Sequence, residues 1–545
     1  MSEVRTSQWS LGDLAAALGV PPRRTLIDWQ AAGVSIDSRT LRPGEIFVCV
    51  RGERTDGHAY IPRALAAGAA AVVVEEQAAL VQDLGLPHPT EPVAVFLVED
   101  GLVALQELAR FHRDRMTGRV FGITGSNGKT SAKEMLAGLL ARLPRPTAPE
   151  ESSEVIGEVA GESGGSASEA VAGRVAEILI GAENVAATHG NLNNHFGVPL
   201  TLLAMPAEIP YAVIEMGMNH PGEIELLSRI ARPHHALITS IAPVHIENFS
   251  DLDGIARAKL EILAGLDAGG TLMYPADAHG RALAEEATRE SGARLSLFSV
   301  EGAEAPGAEG LRFAWRGRPV HAPAYHNPVM ASNLTGVLEL LVAEGFAPDP
   351  LAAAVARIAP RTGRRFEIIE KPRSPVGRAA AAILEPQLLV DDSYNANPTS
   401  FVRAVEALRT LLPGGRLACF AGEMGELGPG YGPEGHREVG AALARQGYEF
   451  VGVCGGKNAE ALKDTFVETA TDEGRPDSST SGSGASARSE AIQAIAGGTV
   501  QELIAALQDG DGLDGLAGYD GVLIKGSRSA RMDVLADALR NHSYI

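Results

Sequence analysis

The chain has 545 residues, of which 45% are hydrophobic and 21% are charged, and its formal net charge is −21. This length exceeds what one hydrophobic core usually supports, so about three domains are expected, and the composition excludes disorder of the whole chain. The negative charge argues against a nucleic-acid partner. Because no apolar stretch is long enough to span a bilayer and the N-terminus has no signal-peptide core, we expect a cytoplasmic protein without membrane insertion.

The first hundred residues alternate short strand-like runs with Gly, Pro and Asp turns, before an alanine-rich helix and a further strand. This pattern predicts a small N-terminal α/β domain over residues 1–108. Residues 109–365 follow a different pattern, in which strand-like runs such as YAVIEMG alternate with helical periodicity. Such alternation predicts a central domain with a parallel sheet and crossover helices.

From residue 366 the strand–helix pattern restarts, with runs such as PQLLVDDSYN and GRLACFAGEMG. It predicts a C-terminal Rossmann-like α/β domain over residues 366–545. Segments 144–173 and 469–490 interrupt the pattern and are rich in small, polar and acidic residues. Since such a composition cannot offset chain entropy by burial, we interpret both as disordered surface insertions.

The clearest chemical motif is FGITGSNGKTSAKEM, residues 121–135. An apolar strand leads into a glycine turn and then into an amphipathic helix, where consecutive N–H groups form an anion site. Gly125 and Gly128 let the backbone approach a phosphate, Lys129 would reach the terminal phosphates, and the Thr130 hydroxyl could bind Mg²⁺. Ile123 replaces the first glycine of the longer phosphate-loop pattern. The motif therefore predicts a P-loop-type ATPase domain.

Three further candidate residues follow the phosphate loop in the sequence, and they indicate a function only when they are taken together. Glu215 ends the apolar run YAVIE, where a carboxylate could hold a metal ion near the loop or could simply be solvated. His245 and Lys259 are unremarkable alone, because a single His or a helical Lys is usually structural or solvated.

Several motifs occur in a fixed order along nearly the whole chain: TGSNGKT, HGNLNNHFGVPLTLL, IEMGMNHPGEIELL, VHIENF, RAKLEI, DDSYNANPTS, GEMGELG and KGSRSARM. In this order they closely resemble the Mur ligases, within which the chain is most similar to the members that add D-alanyl-D-alanine. The resemblance implies an ATP-dependent amide ligase of peptidoglycan precursor synthesis. Its substrates would be UDP-MurNAc-tripeptide and D-alanyl-D-alanine, joined through an acyl phosphate, and we expect a monomer.

The resemblance also implies roles for residues of the central domain. The phosphate loop would comprise Gly125, Ser126, Asn127, Gly128, Lys129 and Thr130. Thr130 and Glu215 would bind one Mg²⁺, while His245 and Lys259 would form a second metal site in which Lys259 is carbamylated by CO₂. Asn191 and Asn194 would lie near the reacting carboxylate. The adenine side would be formed by His326, Asn327 and Asn333.

Outside the central domain, the resemblance implies that Arg364 and Asp392 are the pair through which the C-terminal domain closes on ATP. The segments DSR and RGERTDGH would bind the uridine diphosphate through Ser38, Arg39, Gly52, Asp56 and His58. The peptide ends of the substrates would be met by Asn395, Asn397, Lys525, Ser527 and Arg528. Without the wider pattern, the N-terminal candidates could equally be ordinary turn residues.

Three alternative functions stay open at this point. A sister ligase would add the third, diamino residue, but it should carry a D-N-P-R-like motif that is not found here. A non-catalytic nucleotide-binding member of the family should have lost its metal residues. A kinase acting on a small alcohol would turn over ATP without an amine. The third residue of the tripeptide, meso-diaminopimelate or lysine, is not fixed by any motif.

Overall fold

The computed structural model describes residues 8–541 apart from 24–25, 27, 53–54, 82–91, 144–180, 304–308, 361–362, 372–386, 473–492, 510–515 and 517. The predicted insertion 144–173 therefore lies outside the described residues. Of the predicted insertion 469–490, residues 469–472 form the end of a helix and the remainder also lies outside.

The α-helices, numbered in chain order, are α1 Leu11–Leu18, α2 Ile61–Ala66, α3 Glu76–Val81, α4 Gly101–Arg115, α5 Lys129–Leu140, α6 Gly197–Leu203, α7 Glu223–Ala231, α8 Leu252–Leu260, α9 Arg281–Ser291, α10 Val329–Ala343, α11 Pro348–Val355, α12 Pro398–Leu411, α13 Gly428–Arg445, α14 Lys457–Asp472, α15 Val500–Asp509 and α16 Met532–Asn541. None of the helices in the described part of the chain has the length and apolar composition that a membrane span requires.

The strands are β1 Gln8–Ser10, β2 Gln30–Ala32, β3 Val34–Ser35, β4 Ile46–Val48, β5 Ala71–Glu75, β6 Ala94–Val98, β7 Arg119–Thr124, β8 Val185–Ala187, β9 Tyr211–Glu215, β10 His235–Ile238, β11 Thr271–Pro275, β12 Arg294–Phe298, β13 Leu311–Trp315, β14 Arg318–Ala322, β15 Glu367–Lys371, β16 Gln387–Asp392, β17 Leu417–Gly422, β18 Phe450–Cys454, β19 Gln493–Gly497 and β20 Gly521–Lys525. Two short antiparallel pairs, β1 with β2 and β13 with β14, stand apart from the three main sheets.

The N-terminal domain is built on a four-stranded parallel sheet of order β3-β4-β5-β6. Its continuous apolar runs, such as AVVV in β5, are typical of strands covered on both faces. Helix α4, which spans the predicted boundary at residue 108, packs on β4 and β5 and also on α6 and α7 of the next domain. Leu105 and Leu108 of α4 consequently join the N-terminal and central domains in one hydrophobic core.

The central domain contains a six-stranded parallel sheet of order β12-β11-β10-β7-β9-β8. Strand β7 lies in the middle, so the chain leaves it at the point where the strand order reverses, which is where ligands bind in open α/β sheets. Phe121 and Ile123 of β7 pack into the core formed with α5 and α10, while Val120 faces the core shared with the N-terminal domain. The register places Ile123 beside Glu215 on β9.

The C-terminal sheet has the order β15-β16-β20-β17-β18-β19, and only β15 runs antiparallel to its neighbour. It begins at Glu367, next to the predicted boundary. Helices cover both faces, with Val390 and Cys419 in one core cluster and Leu389 and Phe420 in the other. The prediction of a three-domain α/β protein with a Rossmann-like C-terminal domain is thereby confirmed.

Candidate active site

The phosphate loop joins β7 to α5 through two glycines with positive φ angles, +148° at Gly125 and +85° at Gly128. A Cβ atom on Gly125 would lie 1.9 Å from Oγ1 of Thr239, and one on Gly128 would lie 2.6 Å from Nδ2 of Asn333. Neighbouring side chains thus already occupy the space that any larger residue would need. The loop can therefore adopt this backbone conformation only because both positions are glycine.

The segment after β10, the strand beside β7, fixes the rest of the loop. Ser126 N donates to Ser240 O, and Asn127 N donates to Ser240 Oγ, both at 2.9 Å. Lys129 Nζ donates to Gly125 O at 2.7 Å, which curls the side chain back over the loop. Burial lowers the pKa of Lys129. The loop is therefore a preorganised cradle with a cation at its centre.

Gly128→Ala, compared with a matched control, should separate the cost of the clash with Asn333 from the cost of the left-handed backbone conformation. We expect a loss of about 2–5 kcal/mol in the free energy of unfolding, because the left-handed conformation and the clash with Asn333 both add to the cost. Gly222→Ala is the matched control, since Gly222 has the same φ of +85° with no atom within 4 Å of the added Cβ. Chemical denaturation of both variants measures the difference, and equal losses would contradict the steric role.

Glu215 ends β9 beside the loop and is 2% exposed. Its Oε1 accepts a hydrogen bond from Asn193 Nδ2 at 2.8 Å, and its Oε2 lies 3.4 Å from Lys133 Nζ. Oε2 has no hydrogen-bond donor, an uncommon state for a buried oxygen. Together with the buried hydroxyl of Thr130, this carboxylate offers the hard oxygen ligands that Mg²⁺ prefers. These residues fit a magnesium ion.

The imidazole of His245 contacts the C-terminal domain. Its Nδ1 lies 2.9 Å from Oε2 of Glu426, in the loop after β17. Both residues have left-handed backbone conformations, with φ of 55° and 64°, which are uncommon away from functional sites. The hydrogen bond to His245 lowers the pKa of Glu426, and the charge of Lys129 contributes. Glu426 is therefore close to the phosphate loop as well.

Lys259 lies in α8 and is 4% exposed. Burial lowers its pKa well below the ordinary value of 10.5, and the charge of Lys129 lowers it further. A lysine in this environment is neutral for part of the time, which is the condition for reaction with CO₂. Lys129 is thus within electrostatic reach of Glu215, Glu426 and Lys259, and the predicted catalytic residues gather around it.

The residues predicted for the adenine side lie at the start of α10. Asn327 Oδ1 accepts from Val329 N at 3.0 Å and thereby fixes the first turn, while Asn333 packs against Gly128. His326 and Asn327 line a narrow cavity that Arg365 and Phe366 also line. The candidate residues therefore lie beside the phosphate loop, with a cavity between them and the linker to the third domain.

Arg364 and Asp392, the two residues predicted to close the C-terminal domain on ATP, each bind other side chains of the C-terminal domain. Arg364 Nη2 donates to both carboxylate oxygens of Asp537 on α16, at 2.8 and 2.9 Å. Asp392 accepts from Lys525 Nζ at 2.6 Å and from Phe366 N at 3.0 Å. The side chain that reaches the phosphate loop is that of the next residue, Arg365. Its Nη2 donates to Thr130 Oγ1 at 3.0 Å.

The remaining candidates of the C-terminal domain lie at the carboxyl edge of its sheet. Asn397 caps α12 and also contacts the phosphate loop, because its Nδ2 donates to Asn127 Oδ1 at 2.6 Å. Lys525 Nζ donates to Asn395 O at 3.0 Å. Ser527 is buried and donates to Glu423 O, whereas Arg528 is exposed. Asn127–Asn397 and His245–Glu426 are contacts between this edge and the central domain, and Thr130–Arg365 joins the central domain to the linker.

Three family models match the chain: the Mur ligase family, catalytic domain over residues 30–113, the Mur ligase middle domain over 123–337, and the Mur ligase, glutamate ligase domain over 364–528. The UDP-N-acetylmuramoyl-tripeptide–D-alanyl-D-alanine ligase of Bacillus subtilis is 32% identical over 421 residues, which cover 76% of this chain and 77% of that protein. The chain belongs to the Mur ligase family.

Two further comparisons agree with this assignment. The ligase of the same name from Escherichia coli is 30% identical over 459 residues, which cover 79% of this chain and 82% of that protein. A crystal structure of MurF from Acinetobacter baumannii superposes with a TM-score of 0.74 at 24% identity, covering 99% of this chain and 100% of that one. The Mur ligase fold therefore extends over nearly the whole chain.

In this Mur ligase, the N-terminal candidates follow the carboxyl ends of β3 and β4. Arg39 binds Asp37 and lowers the pKa of that carboxyl to about 2. His58 is buried, with Nδ1 2.5 Å from Asp56 Oδ1 and Nε2 accepting from Glu75 N. The neighbouring Ser38 is buried, and Gly52 N donates to Thr55 O. These residues form a structured edge, and their role in binding uridine diphosphate stays a prediction.

Asn191 and Asn194, predicted to lie near the reacting carboxylate, belong to the loop before α6. Asn194 Oδ1 accepts from Phe196 N and Gly197 N and so fixes the turn that leads into α6, and Asn191 is exposed. Asn193, between them, is the amide that contacts Glu215. Sequence reasoning also missed Lys133, Arg365 and Glu426. Only Lys133 carried a usable signal, because it lies four residues after Lys129 on the same face of α5.

Proposed function

We propose that this Mur ligase joins D-alanyl-D-alanine to the terminal carboxylate of UDP-MurNAc-tripeptide, converting ATP to ADP and phosphate. The observation that carries the proposal is the meeting of two sheet edges at one place. The phosphate loop and buried Glu215 of the central domain contact the Asn397 and Glu426 loops of the C-terminal domain. The identity of the substrates is supported by the names of the curated relatives.

The two sheet edges suit a reaction in two steps. A carboxylate condenses poorly with an amine, because its anionic oxygen is a poor leaving group. In the first step the carboxylate attacks the γ-phosphorus of ATP, the bond to ADP breaks and an acyl phosphate forms. In the second step the amine attacks the carbonyl carbon, a proton is lost to solvent, and the tetrahedral intermediate expels phosphate as the amide forms. Positioning and charge neutralisation supply most of such catalysis.

The residues of the loop have distinct roles in this scheme. Lys129 neutralises charge on the phosphates, and the backbone N–H groups after Gly125 hold their oxygens. Thr130 and Glu215 hold Mg²⁺, which when bound neutralises charge on the phosphate oxygens. Lys133 and Asn193 orient Glu215 through its two oxygens. Removal of divalent cations by a chelator should therefore stop turnover.

Lys259 is proposed to react with CO₂. Its neutral amine forms an N–C bond to the carbon of CO₂ and loses a proton, which gives a carbamate. The change replaces a buried amine with an anionic, carboxylate-like group, which together with His245 would hold a second metal ion. The strongly lowered pKa of Lys259 supports this step. A carbamate signal from ¹³C-labelled bicarbonate, lost in Lys259→Met, would test it.

The N-terminal domain is proposed to bind the uridine diphosphate part of the precursor through the edge that contains Ser38, Arg39 and His58. The third residue of the tripeptide is left open, since meso-diaminopimelate and lysine would differ in the shape of a pocket rather than in a motif. A monomer acting in the cytoplasm also stays a prediction.

The decisive experiment measures phosphate release from ATP and Mg²⁺ with UDP-MurNAc-tripeptide, with and without D-alanyl-D-alanine, and follows the nucleotide peptide by mass. We expect release to depend on the dipeptide, with the mass gain of one dipeptide minus water. Turnover with a diamino acid and a shorter precursor would instead identify the sister ligase. Turnover without any amine would indicate a kinase, and binding of ATP without turnover would indicate a non-catalytic member.

A further inference from the structure

Lys133 is a buried lysine of α5 that faces the candidate metal site. It lies four residues after Lys129, and therefore on the same face of the helix, and only 3% of its surface is exposed. A lysine is rarely buried to this degree unless its ammonium is paired. Its Nζ lies 3.4 Å from Glu215 Oε2, which is an ion-pair distance longer than an ordinary hydrogen bond. Within the described part of the chain, the ammonium thus neutralises Oε2 while that oxygen receives no hydrogen bond.

The second partner of Lys133 is the loop of residues 188–194, which is predicted to lie near the reacting carboxylate. Lys133 Nζ donates to Gly190 O in this loop at 3.3 Å. The same loop holds Glu215, because Asn193 Nδ2 donates to Glu215 Oε1 at 2.8 Å. One ammonium group therefore joins the helix of the phosphate loop, the carboxylate that fits a magnesium ion, and the 188–194 loop.

Metal binding at Glu215 would change the balance of charge around Lys133. The negative charge of Glu215 faces two buried lysines, Lys133 at ion-pair distance and Lys129 within electrostatic reach. A divalent cation bound to Glu215 adds two positive charges, which repel the ammonium of Lys133. The four-carbon stem of lysine is flexible, and Gly190 O lies on the opposite, loop side of the contact. The ammonium therefore has a partner to retain when it leaves Glu215.

We propose that Lys133 is a positioning residue that couples the metal site to the 188–194 loop. Without a metal ion, its ammonium neutralises Glu215 and keeps that carboxylate in place. When Mg²⁺ binds to Glu215, the ammonium turns towards Gly190 O and fixes the loop for the incoming carboxylate. This inference rests on the proposed function, in which Mg²⁺ binds beside the phosphate loop. Metal binding would thus prepare the site for the precursor.

Urea unfolding of the nucleotide-free protein at a series of Mg²⁺ concentrations tests the competition between ammonium and metal ion. Without Mg²⁺, Lys133→Met should unfold at a lower midpoint than the wild type, because Glu215 is left buried and unpaired. The Mg²⁺ concentration at which the midpoint begins to rise reports the affinity. It should be about tenfold lower in Lys133→Met, since no ammonium competes for the carboxylate. Wild-type affinity in folded Lys133→Met would overturn the competition.

Two further variants complete this test. Lys463→Met removes a partly exposed lysine that pairs with Asp464 on α14, and it should respond to Mg²⁺ like the wild type. Lys133→Gln loses the charge but keeps an N–H donor for Gly190 O. It should gain affinity for Mg²⁺ as Lys133→Met does, and it supplies the comparison if the methionine variant does not fold. A wild-type response to Mg²⁺ in Lys133→Gln would likewise overturn the competition.

Amide hydrogen exchange, followed by mass spectrometry of peptides that contain residues 188–194, tests the coupling. Mg²⁺ with a non-hydrolysable ATP analogue should slow exchange in this loop of the wild type about tenfold, because the ammonium then holds Gly190 O. Lys133→Met should bind the same ligands without this slowing, and Lys133→Gln should recover part of it. An ion pair with a structural role alone would not make the slowing depend on Lys133. Equal slowing in the wild type and in Lys133→Met, or no slowing in either, would overturn the coupling.

These measurements separate the inference from the proposed function, since neither requires tripeptide or dipeptide. Wild-type protein that shows both effects but never extends the precursor would contradict the proposed function alone. Dipeptide-dependent turnover, with a wild-type response to Mg²⁺ and wild-type exchange in the Lys133 variants, would contradict only the inference about Lys133.

Discussion

Glu215→Gln is expected to reduce turnover about 1,000-fold or more, because it removes the negative charge that holds Mg²⁺ beside the phosphate loop. The amide keeps the size of the side chain and can still meet Asn193. It also leaves the buried ammonium of Lys133 without its counter-charge, which should lower the free energy of unfolding by about 3–5 kcal/mol. Phosphate-release kinetics and chemical denaturation measure the two effects.

Two controls separate catalysis from stability. In Glu215→Gln/Lys133→Met the unpaired charge is gone, so stability should recover while turnover stays low. Glu344→Gln removes a buried carboxylate at the opposite edge of the same sheet, where it pairs with Arg119 and His235. This control should lose stability with little change in the turnover of folded protein. Normal turnover in Glu215→Gln, with undiminished affinity for Mg²⁺, would contradict the role of Glu215.

The phosphate loop could be predicted from sequence because all of its parts are contiguous. A strand, two glycines, Lys129 and a helix specify one local geometry, and the structure contains it. Glu215 could be predicted from the sequence for a related reason, since the end of an apolar strand in a parallel sheet lies at the ligand-binding edge. The alternation of strand-like and helical segments along the sequence likewise allowed the three-domain α/β fold to be predicted.

Side-chain direction in loops could not be predicted in the same way. Arg364 and Arg365 are adjacent and chemically identical, yet one binds Asp537 on α16 and the other binds Thr130. The left-handed backbone conformations of Arg364 and Phe366 determine which of the two arginine side chains reaches which partner. The hydrophobic pattern of a sequence does not predict such conformations at residues other than glycine. The contact between Asn193 and Glu215 was not predicted for the same reason, because a non-periodic loop gives no rule for which amide faces a given side chain.

Contacts between domains are the second part that the sequence did not provide. Glu426 lies within the quoted motif GEMGELG, but its partner His245 is 181 positions earlier in another domain. The predicted boundary at residue 108 falls within helix α4. Helix α4 looks like the end of one domain in sequence, yet it fills the core between two. A single sequence shows which face of such an element is apolar, but not which other element packs against that face.

Lys259→Met is expected to abolish turnover and to raise the free energy of unfolding at neutral pH. The folded-state pKa of Lys259 lies well below 10.5, so between these values the unfolded chain binds one more proton than the folded chain. Wild-type stability should therefore rise with pH across that window and fall as the pH drops through it. Methionine is similar in size and carries no proton, so the variant should lack this slope.

Urea unfolding across a pH series in CO₂-free buffer, together with phosphate-release kinetics, measures both effects. The stability gain of Lys259→Met over the wild type should shrink as the pH approaches 10.5, because there the unfolded lysine also loses its proton. Lys463→Met, on the partly exposed face of α14, should change neither turnover nor the slope. A variant with normal turnover would show that Lys259 has no part in the reaction, and an unchanged slope would show that its amine is charged in the folded protein.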